Sequence, residues 1–444
     1  MNPLTPISAN SVKLHRLAEQ RSTTESDRLQ RRIMLFDLSI HGHHPAYIRH
    51  LIEYWDKQSL PGYLDIVVSS KFLSHHADVV NLATRRDHPQ VQFVPIAPEV
   101  EARFKSRKSG LNRTIRAFQE WQVLCEVAQT LKADHCVILY FDTCQLPLAV
   151  WQHPPCPVSG IYFKPTFHYP ALHDSALHDS GLKPSHVYRP QQWQQWREKR
   201  LLAQVLQHPR LHRLFCLDPL AVKSIEPLDL AHKVIPLPDP VPLTPVTAAQ
   251  VDRLRSQTGI QAGRQVFLLF GALNGRKGIY QLLDSIALLP AAVHDRLCLL
   301  LVGEANPQEQ SRINAEVAEI CQTTTMQIIT HYEYVPESDV QAYFHLADLV
   351  LAPYQRHVGM SGILLLAAAA QKPVLSSNYG LMGELVRRYH LGLAIDSTQP
   401  SEIAQGILQF LSTEPDLICN TATMKTFAEQ NSVEQFAATI FNAI

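Results

Sequence analysis

FLLFGALNGRKGIYQLL, residues 267–283, sets Arg276 and Lys277 between an apolar run ending at Gly271 and a second apolar run of helical spacing. A strand, a glycine-bearing turn and two cations ahead of a helix make a seat for phosphate, because the first helical amides and the dipole favour negative charge. One charge-assisted hydrogen bond from Lys277 or Arg276 to a phosphate oxygen is worth about 1.5–3 kcal/mol. A pair of solvated basic side chains is the plain alternative, although a helix start ordinarily prefers acids. GMSGILLLAAAAQKPVL, residues 359–375, repeats the theme. Its helix has no polar side and has to be buried, yet it opens on Gly359, Ser361 and Gly362. Ser361 is placed to cap that helix, and the glycines let the backbone close on a second anionic group. An ordinary turn before a core helix is an equal reading.

The first half of the chain carries a different set. In DLSIHGHHPAYIRHLI, Gly42 gives room for close approach, and His41, His43 and His44 cluster around it. Adjacent histidines do not easily satisfy one ion's geometry, so hydrogen bonding to substrate, or a plain polar loop, is favoured over metal. Asp142, closing HCVILYFD, stands at a strand's carboxyl end, where it either positions or deprotonates a hydroxyl or caps a turn. Residues 101–118 gather Arg103, Lys105, Arg107, Lys108, Arg113 and Arg116 with no acid after Glu101. Such a block rests on anionic lipid at about 1 kcal/mol per basic residue, binds an anionic ligand, or does neither. ALHDSALHDS, residues 171–180, duplicates His173 and Asp174 as His178 and Asp179, a spacing that fixes no coordination geometry and reads as a surface loop.

These residues need elements to hold them. Strand-length apolar runs alternate with amphipathic helical segments from Arg32 onward: IMLFDLSI, LDIVVSS, VQFVPIA, HCVILYFD, VSGIYFKP, RLFCLD and HKVIPL, then QVFLLFGAL, LCLLLVGE, MQIITHYEY, DLVLAPY, KPVLSS and LGLAID. That alternation predicts two α/β domains, each a doubly wound parallel sheet with ligands beyond the strands' carboxyl ends. Five prolines between Pro236 and Pro245 form a stiff connector, which puts the boundary there. The expected layout is a disordered leader over 1–30, an N-terminal domain over 31–240, a second domain over 241–426, and a C-terminal helix over 427–444 packing back on the first domain. A chain of 444 residues has room for both cores. Lys+Arg and Asp+Glu total 40 each, so no long-range field attracts nucleic acid, and no module for it is recognisable. No apolar stretch reaches a membrane-spanning length, and the eight cysteines lack any C-x-x-C pair. A cytoplasmic protein is the expectation, with peripheral contact at the inner face of the membrane through 103–116.

FGALNGRKG, LLLVGE, YVPESDVQAYFHLADLVLAPY, GMSGILLLAAAAQKPVLSS and GELVRRYHLGLAID, in that order and spacing, resemble the nucleotide-sugar-binding domain of family 4 glycosyltransferases over roughly residues 262–440. The resemblance implies the GT-B fold, two Rossmann-like domains facing a cleft, with the acceptor bound by the first and the donor by the second. It implies a hexosyltransferase-type enzyme of glycan or glycolipid biosynthesis that moves a sugar from a nucleoside diphosphate sugar to a hydroxyl acceptor, whether glycan, lipid or small molecule. Retention of configuration, no cofactor and no required metal go with it. Carried over by position, Lys277 meets the donor diphosphate. Arg276 replaces an arginine usually found just after Gly271, where this chain has Ala272. Val335 sits where the base packs, His357 offers a hydrogen bond, and Glu304 is a further carboxylate. The loop of His41, Gly42, His43 and His44 faces donor sugar and acceptor. The family's paired glutamates, counted back from Lys372, fall on Val358 and Leu366. That departure supports a non-catalytic nucleotide-sugar-binding scaffold as one rival, and a membrane-surface interaction protein is another.

Overall fold

A computed structural model describes residues 31–84, 90–106, 109–168, 189–225 and 230–444. The duplicated loop at 171–180, the leader at 1–30, and Arg107 with Lys108 lie outside these described residues. The chain divides into two compact units. The first is built chiefly from residues 31–167 and 189–237 together with Ala437–Ile444, and the second from Pro238–Phe436. The division falls inside the proline run.

The first unit holds seven parallel strands: β1 (Arg32–Asp37), β2 (Tyr63–Val68), β3 (Val91–Pro95), β4 (His135–Ile138), β5 (Val158–Tyr162), β6 (Leu211–Cys216) and β7 (Val234–Pro236). Their spatial order is β3-β2-β1-β4-β5-β6-β7. The strand centres are nearly continuously apolar because both sheet faces are covered. Helix α1 (His44–Lys57) starts with a proline in its first turn, where a missing N–H costs nothing. Helix α2 (Gly110–Leu131) is capped by Ser109, whose side chain accepts the Asn112 amide, and buries Trp121 and Leu124.

The second unit has six parallel strands: β8 (Gln265–Phe270), β9 (Leu297–Val302), β10 (Gln327–His331), β11 (Leu349–Ala352), β12 (Val374–Ser377) and β13 (Gly392–Ile395), ordered β10-β9-β8-β11-β12-β13. Helix α3 (Ile279–Ile286) follows β8, and helix α4 (Gly362–Ala369) follows β11. All thirteen strand segments expected from the sequence are present. In each unit the strand order reverses once, between β1 and β4 in the first and between β8 and β11 in the second. Those two switch points leave crevices at the strands' carboxyl ends, which are the natural ligand positions of such sheets.

The C-terminal segment expected as one helix over 427–444 is broken. Helix α5 (Thr421–Gln430) ends before Asn431, and helix α6 (Val433–Ala443) begins after it. Asn431 is spent on the break, donating to the Phe427 carbonyl at 2.8 Å and accepting the Asp239 amide at 3.1 Å. The end of α6 belongs to the first unit, where Phe441 packs on Tyr54 and Trp55 and His212 bonds the Ala443 carbonyl.

Candidate active site

Lys277 is the buried cation of the second unit, 5% exposed. It lies in a 3-10 turn, Gly275–Lys277, and α3 starts only after Gly278, so both cations stand ahead of the helix. The turn is folded tightly because Gly278 adopts φ +76°. A Cβ there would lie 1.9 Å from the Pro353 carbonyl oxygen, which only glycine avoids. The Lys277 ammonium donates to the Phe270 carbonyl at 2.9 Å and to the Tyr354 hydroxyl, and sits 4.4 Å from the centre of the Tyr354 ring. Gly271 makes room for it, since a Cβ at that position would meet Nζ at 2.8 Å. Among the described residues no carboxylate pairs with Lys277. A charge removed from water with only neutral partners is costly unless an anion completes the site.

Tyr354 is the hub. It follows β11 at the switch point, is 3% exposed, accepts a hydrogen bond from Ser361 at 3.1 Å, and packs at a tilt against His357, with ring centres 5.0 Å apart. The exposed guanidinium of Arg276 lies 5.5 Å from its ring and reaches His357 Nδ1 at 3.4 Å. Ser361 occupies the N-cap position of α4, but its hydroxyl goes to Tyr354 and makes no cap bond, which corrects the capping role expected of it. The amides of Gly362 and Ile363 therefore have no partner among the described residues, at an open spot where a Cβ on Gly362 would touch nothing. Gly359 holds φ +98° in the loop leading there. Lys277, Arg276, His357, Gly359, Ser361 and Gly362 thus come together at one crevice. Val335 stands half-buried in the loop after β10, and Glu304 is exposed after β9, with its carbonyl accepting the Leu273 amide at 2.8 Å.

The first unit has its own cavity, of about 220 Å³, at the β1/β4 switch point. Asp37 ends β1 and is 4% exposed; its carboxylate lies 2.6 Å from His44 Nδ1 and accepts the Ser39 amide at 2.9 Å. His43 stacks on His44 at 4.5 Å and on Phe163 at 4.7 Å. Two rings stacked with an 18° interplanar angle present edges, not a shared ligand position, so this pair is no metal clamp. His43 is exposed by surface area although its ring is packed between neighbours, and desolvation, with lesser help from His44 and Lys164, lowers its pKa. His41 is exposed and does not line the cavity. Gly42 takes φ +73° with nothing within 4 Å of where a Cβ would be, so it serves the turn and not a close approach.

Asp142 is not among the cavity's lining residues. Its two oxygens accept the Phe163 and Lys164 amides, each at 2.9 Å, and so pin the loop that does line it. Burial pushes its pKa up to about 6 against the pull of those amides and of Lys164. In the basic block, Arg116 pairs with Glu120 at 2.6 Å and covers the Phe104 ring, while Arg103, Lys105 and Arg113 are exposed. Among the described residues no helix is long and apolar enough to cross a membrane, and no group of three or more His, Cys, Asp or Glu is placed to hold a metal.

Residues 250–434, which include every one of the second unit's site residues, match the family model of the glycosyl transferases group 1. D-inositol 3-phosphate glycosyltransferase of Arthrobacter sp. (strain FB24) is 26% identical over 180 residues, covering 40% of this chain and 41% of that protein's length. Nearly the whole chain superimposes on solved structures. Anabaena HepE in complex with UDP matches with a TM-score of 0.61 at 14% identity, covering 93% of this chain and 98% of its own. Sucrose-phosphate synthase from Thermosynechococcus elongatus matches at 0.63 and 15%, with the same coverage. WaaG, a glycosyltransferase involved in lipopolysaccharide biosynthesis, matches at 0.57 and 13%. The fold is GT-B, with two Rossmann-like sheets.

Tyr354 and Asp37 are the two residues that the sequence alone did not single out. Tyr354 closes the strand-to-loop stretch DLVLAPY, and Asp37 closes IMLFD; each is a polar group at or just past the end of a buried strand, which was the available signal.

Proposed function

We infer that the chain transfers a glycosyl group from a nucleoside diphosphate sugar to a hydroxyl acceptor. The observation that carries this reading is the buried Lys277 ammonium without a carboxylate, near the amides of Gly362 and Ile363 without a partner, both among the described residues. Two phosphates answer both needs: one neutralises the ammonium, and the other takes the amides and the dipole of α4. As the bond from the anomeric carbon to the diphosphate lengthens, negative charge grows on the departing oxygen. Lys277 and the exposed Arg276 meet it, and because the Lys277 partners are already fixed, little reorganisation is needed at that moment. His357 steadies Arg276, and Val335 is offered to the nucleobase. Solved structures of similar fold hold UDP, which makes a uridine donor the first to try.

Hexosyl transfer with retention, and without a metal, follows from the resemblance noted in the sequence. A panel of UDP, GDP and ADP sugars, each incubated with monosaccharides, cyclic polyols and their phosphates and followed by NMR, tests all of it. Donor cleavage and a new glycosidic bond are expected; the anomeric coupling constant reports the configuration, and activity after chelation reports the metal. Val358 and Leu366 favour a second reading, a scaffold that binds the nucleotide sugar without turning it over. Saturable UDP-sugar binding with no cleavage against the whole panel would establish that alternative. The exposed Arg103, Lys105 and Arg113 fit a peripheral contact with anionic lipid, which vesicle co-sedimentation tests.

A further inference from the structure

Helix α4 begins on a serine that does not cap it, and the side chain responsible is Tyr354. We propose that Tyr354 holds the Ser361 hydroxyl away from the first amides of α4, so that a latent cap does not occupy the seat an incoming phosphate takes. The inference rests on the diphosphate reading above and makes Tyr354 the positioning residue that keeps that seat open.

Ser361 has everything a cap requires except the bond. Its backbone is extended, with φ −128° and ψ 116°, as the N-cap position demands. A serine there turns its oxygen to the amide of the second or third helical residue, here Ile363 or Leu364. The Leu364 amide is already bonded to the Ser361 carbonyl at 3.1 Å, which leaves Ile363 as the amide a cap would take. The Ser361 oxygen lies instead 3.1 Å from the Tyr354 hydroxyl. One torsion carries that oxygen, and in the rotamer that reaches Tyr354 it makes no cap bond.

Tyr354 prevails because of what a buried serine needs. Ser361 is 6% exposed, so its hydroxyl proton depends on a protein acceptor more than on water. The amides of α4 are donors and supply none, whereas a phenol oxygen has two lone pairs, of which Lys277 and Ser361 take one each. Tyr354 is also firmly placed: its amide donates to the Ala352 carbonyl at 2.8 Å, and its carbonyl accepts the Ser397 hydroxyl at 2.8 Å. Without the phenol oxygen, the remaining bond open to Ser361 is the one it accepts from Ile363.

The arrangement destabilises the empty protein, because the positive end of α4 stays uncapped. In return the seat needs no rearrangement when phosphate arrives. The buried Lys277 charge, with only neutral partners among the described residues, is the independent mark of an anion at this place.

The test is a double-substitution cycle on the full chain, read by isothermal titration with UDP and with inorganic pyrophosphate, and with uridine as the phosphate-free control. Tyr354→Phe turns the serine to the Ile363 amide, so both ligands should weaken about fivefold, the factor that corresponds to a cap of about 1 kcal/mol. Adding Ser361→Ala to that variant removes the cap and should return most of the lost affinity. In the wild-type background the same change should raise affinity by a smaller factor. Urea unfolding of the empty proteins should move the other way, with Tyr354→Phe more stable than the double variant. Cooperative urea transitions and a constant uridine affinity show that the variants are folded. A double variant as weak as Tyr354→Phe overturns the inference, because the loss then comes from the missing partner of the Lys277 ammonium. A fivefold weakening by Ser361→Ala alone overturns it too, since the hydroxyl is then a direct ligand of the phosphate. Both outcomes leave the diphosphate reading standing. A wild type that binds neither UDP nor pyrophosphate removes that reading, and this inference with it.

Discussion

Replacing Lys277 with methionine separates the charge of this side chain from its bulk. Methionine keeps an apolar stem under Tyr354 but carries no donor, so the hydrogen bond to the Phe270 carbonyl and the one to the Tyr354 hydroxyl disappear together with the cation over the ring. Leaving the carbonyl unpaired costs about 1–3 kcal/mol. Removing a buried ammonium that has no carboxylate beside it among the described residues returns an amount of similar size. The unliganded variant should therefore unfold within about 2 kcal/mol of wild type. Binding should change far more, because a charge-assisted bond to phosphate of about 1.5–3 kcal/mol is lost, which weakens UDP roughly 10- to 150-fold. Isothermal titration with UDP, and with uridine as the phosphate-free control, reads the difference; uridine binding should not move. A folded Lys277→Met that binds UDP within threefold of wild type would refute the diphosphate site.

Tyr354→Phe removes one partner of the ammonium and the acceptor for Ser361, and should weaken UDP about fivefold in the same titration. Gly278→Ala drives a methyl against the Pro353 carbonyl at a backbone angle that L side chains avoid, so the urea midpoint of the second unit should fall by the equivalent of about 2 kcal/mol or more. Asp142 has its pKa pushed up to about 6 from an ordinary 3.8. Its stabilising contribution is complete below the unfolded value and is lost as pH rises through 6, to a limit of about 3 kcal/mol. Asp142→Asn lacks that loss, so its urea midpoint relative to wild type should climb between about pH 4 and 7. A constant gap across that range would contradict the burial of the charge.

The strands were legible because thirteen β segments leave thirteen apolar runs, most of them buried, and because parallel sheets require a helix between them. Lys277 was legible for a related reason: a glycine-bounded cation after a buried strand has few other uses. What spacing does not encode is where a side chain turns after the strand ends. Ser361 was read as a cap from its residue type, yet a tyrosine seven residues earlier offered a better partner inside the protein. Asp142 was read as acting on a hydroxyl or capping a turn, and two backbone amides of the loop after β5, about twenty residues on, took both oxygens. Asp37 was hidden within a strand, since its partner His44 is seven residues ahead, on the far side of a loop whose path no periodicity describes.

The two loops around Lys277 are sewn together by main-chain groups. Gln355 donates its amide to the Arg276 carbonyl at 2.9 Å and its side chain to the Pro353 and Ser397 carbonyls, while Ser397 in turn bonds the Tyr354 carbonyl. None of these links involves the exposed guanidinium of Arg276 or the His357 ring. On the proposed reading, inheritance can therefore rewrite the rim of this crevice, and with it the preferred sugar or even the capacity for turnover, while the proposed cradle for a pyrophosphate persists. A lineage that had lost its enzymology would, on that reading, still hold the proposed nucleotide seat for other employment.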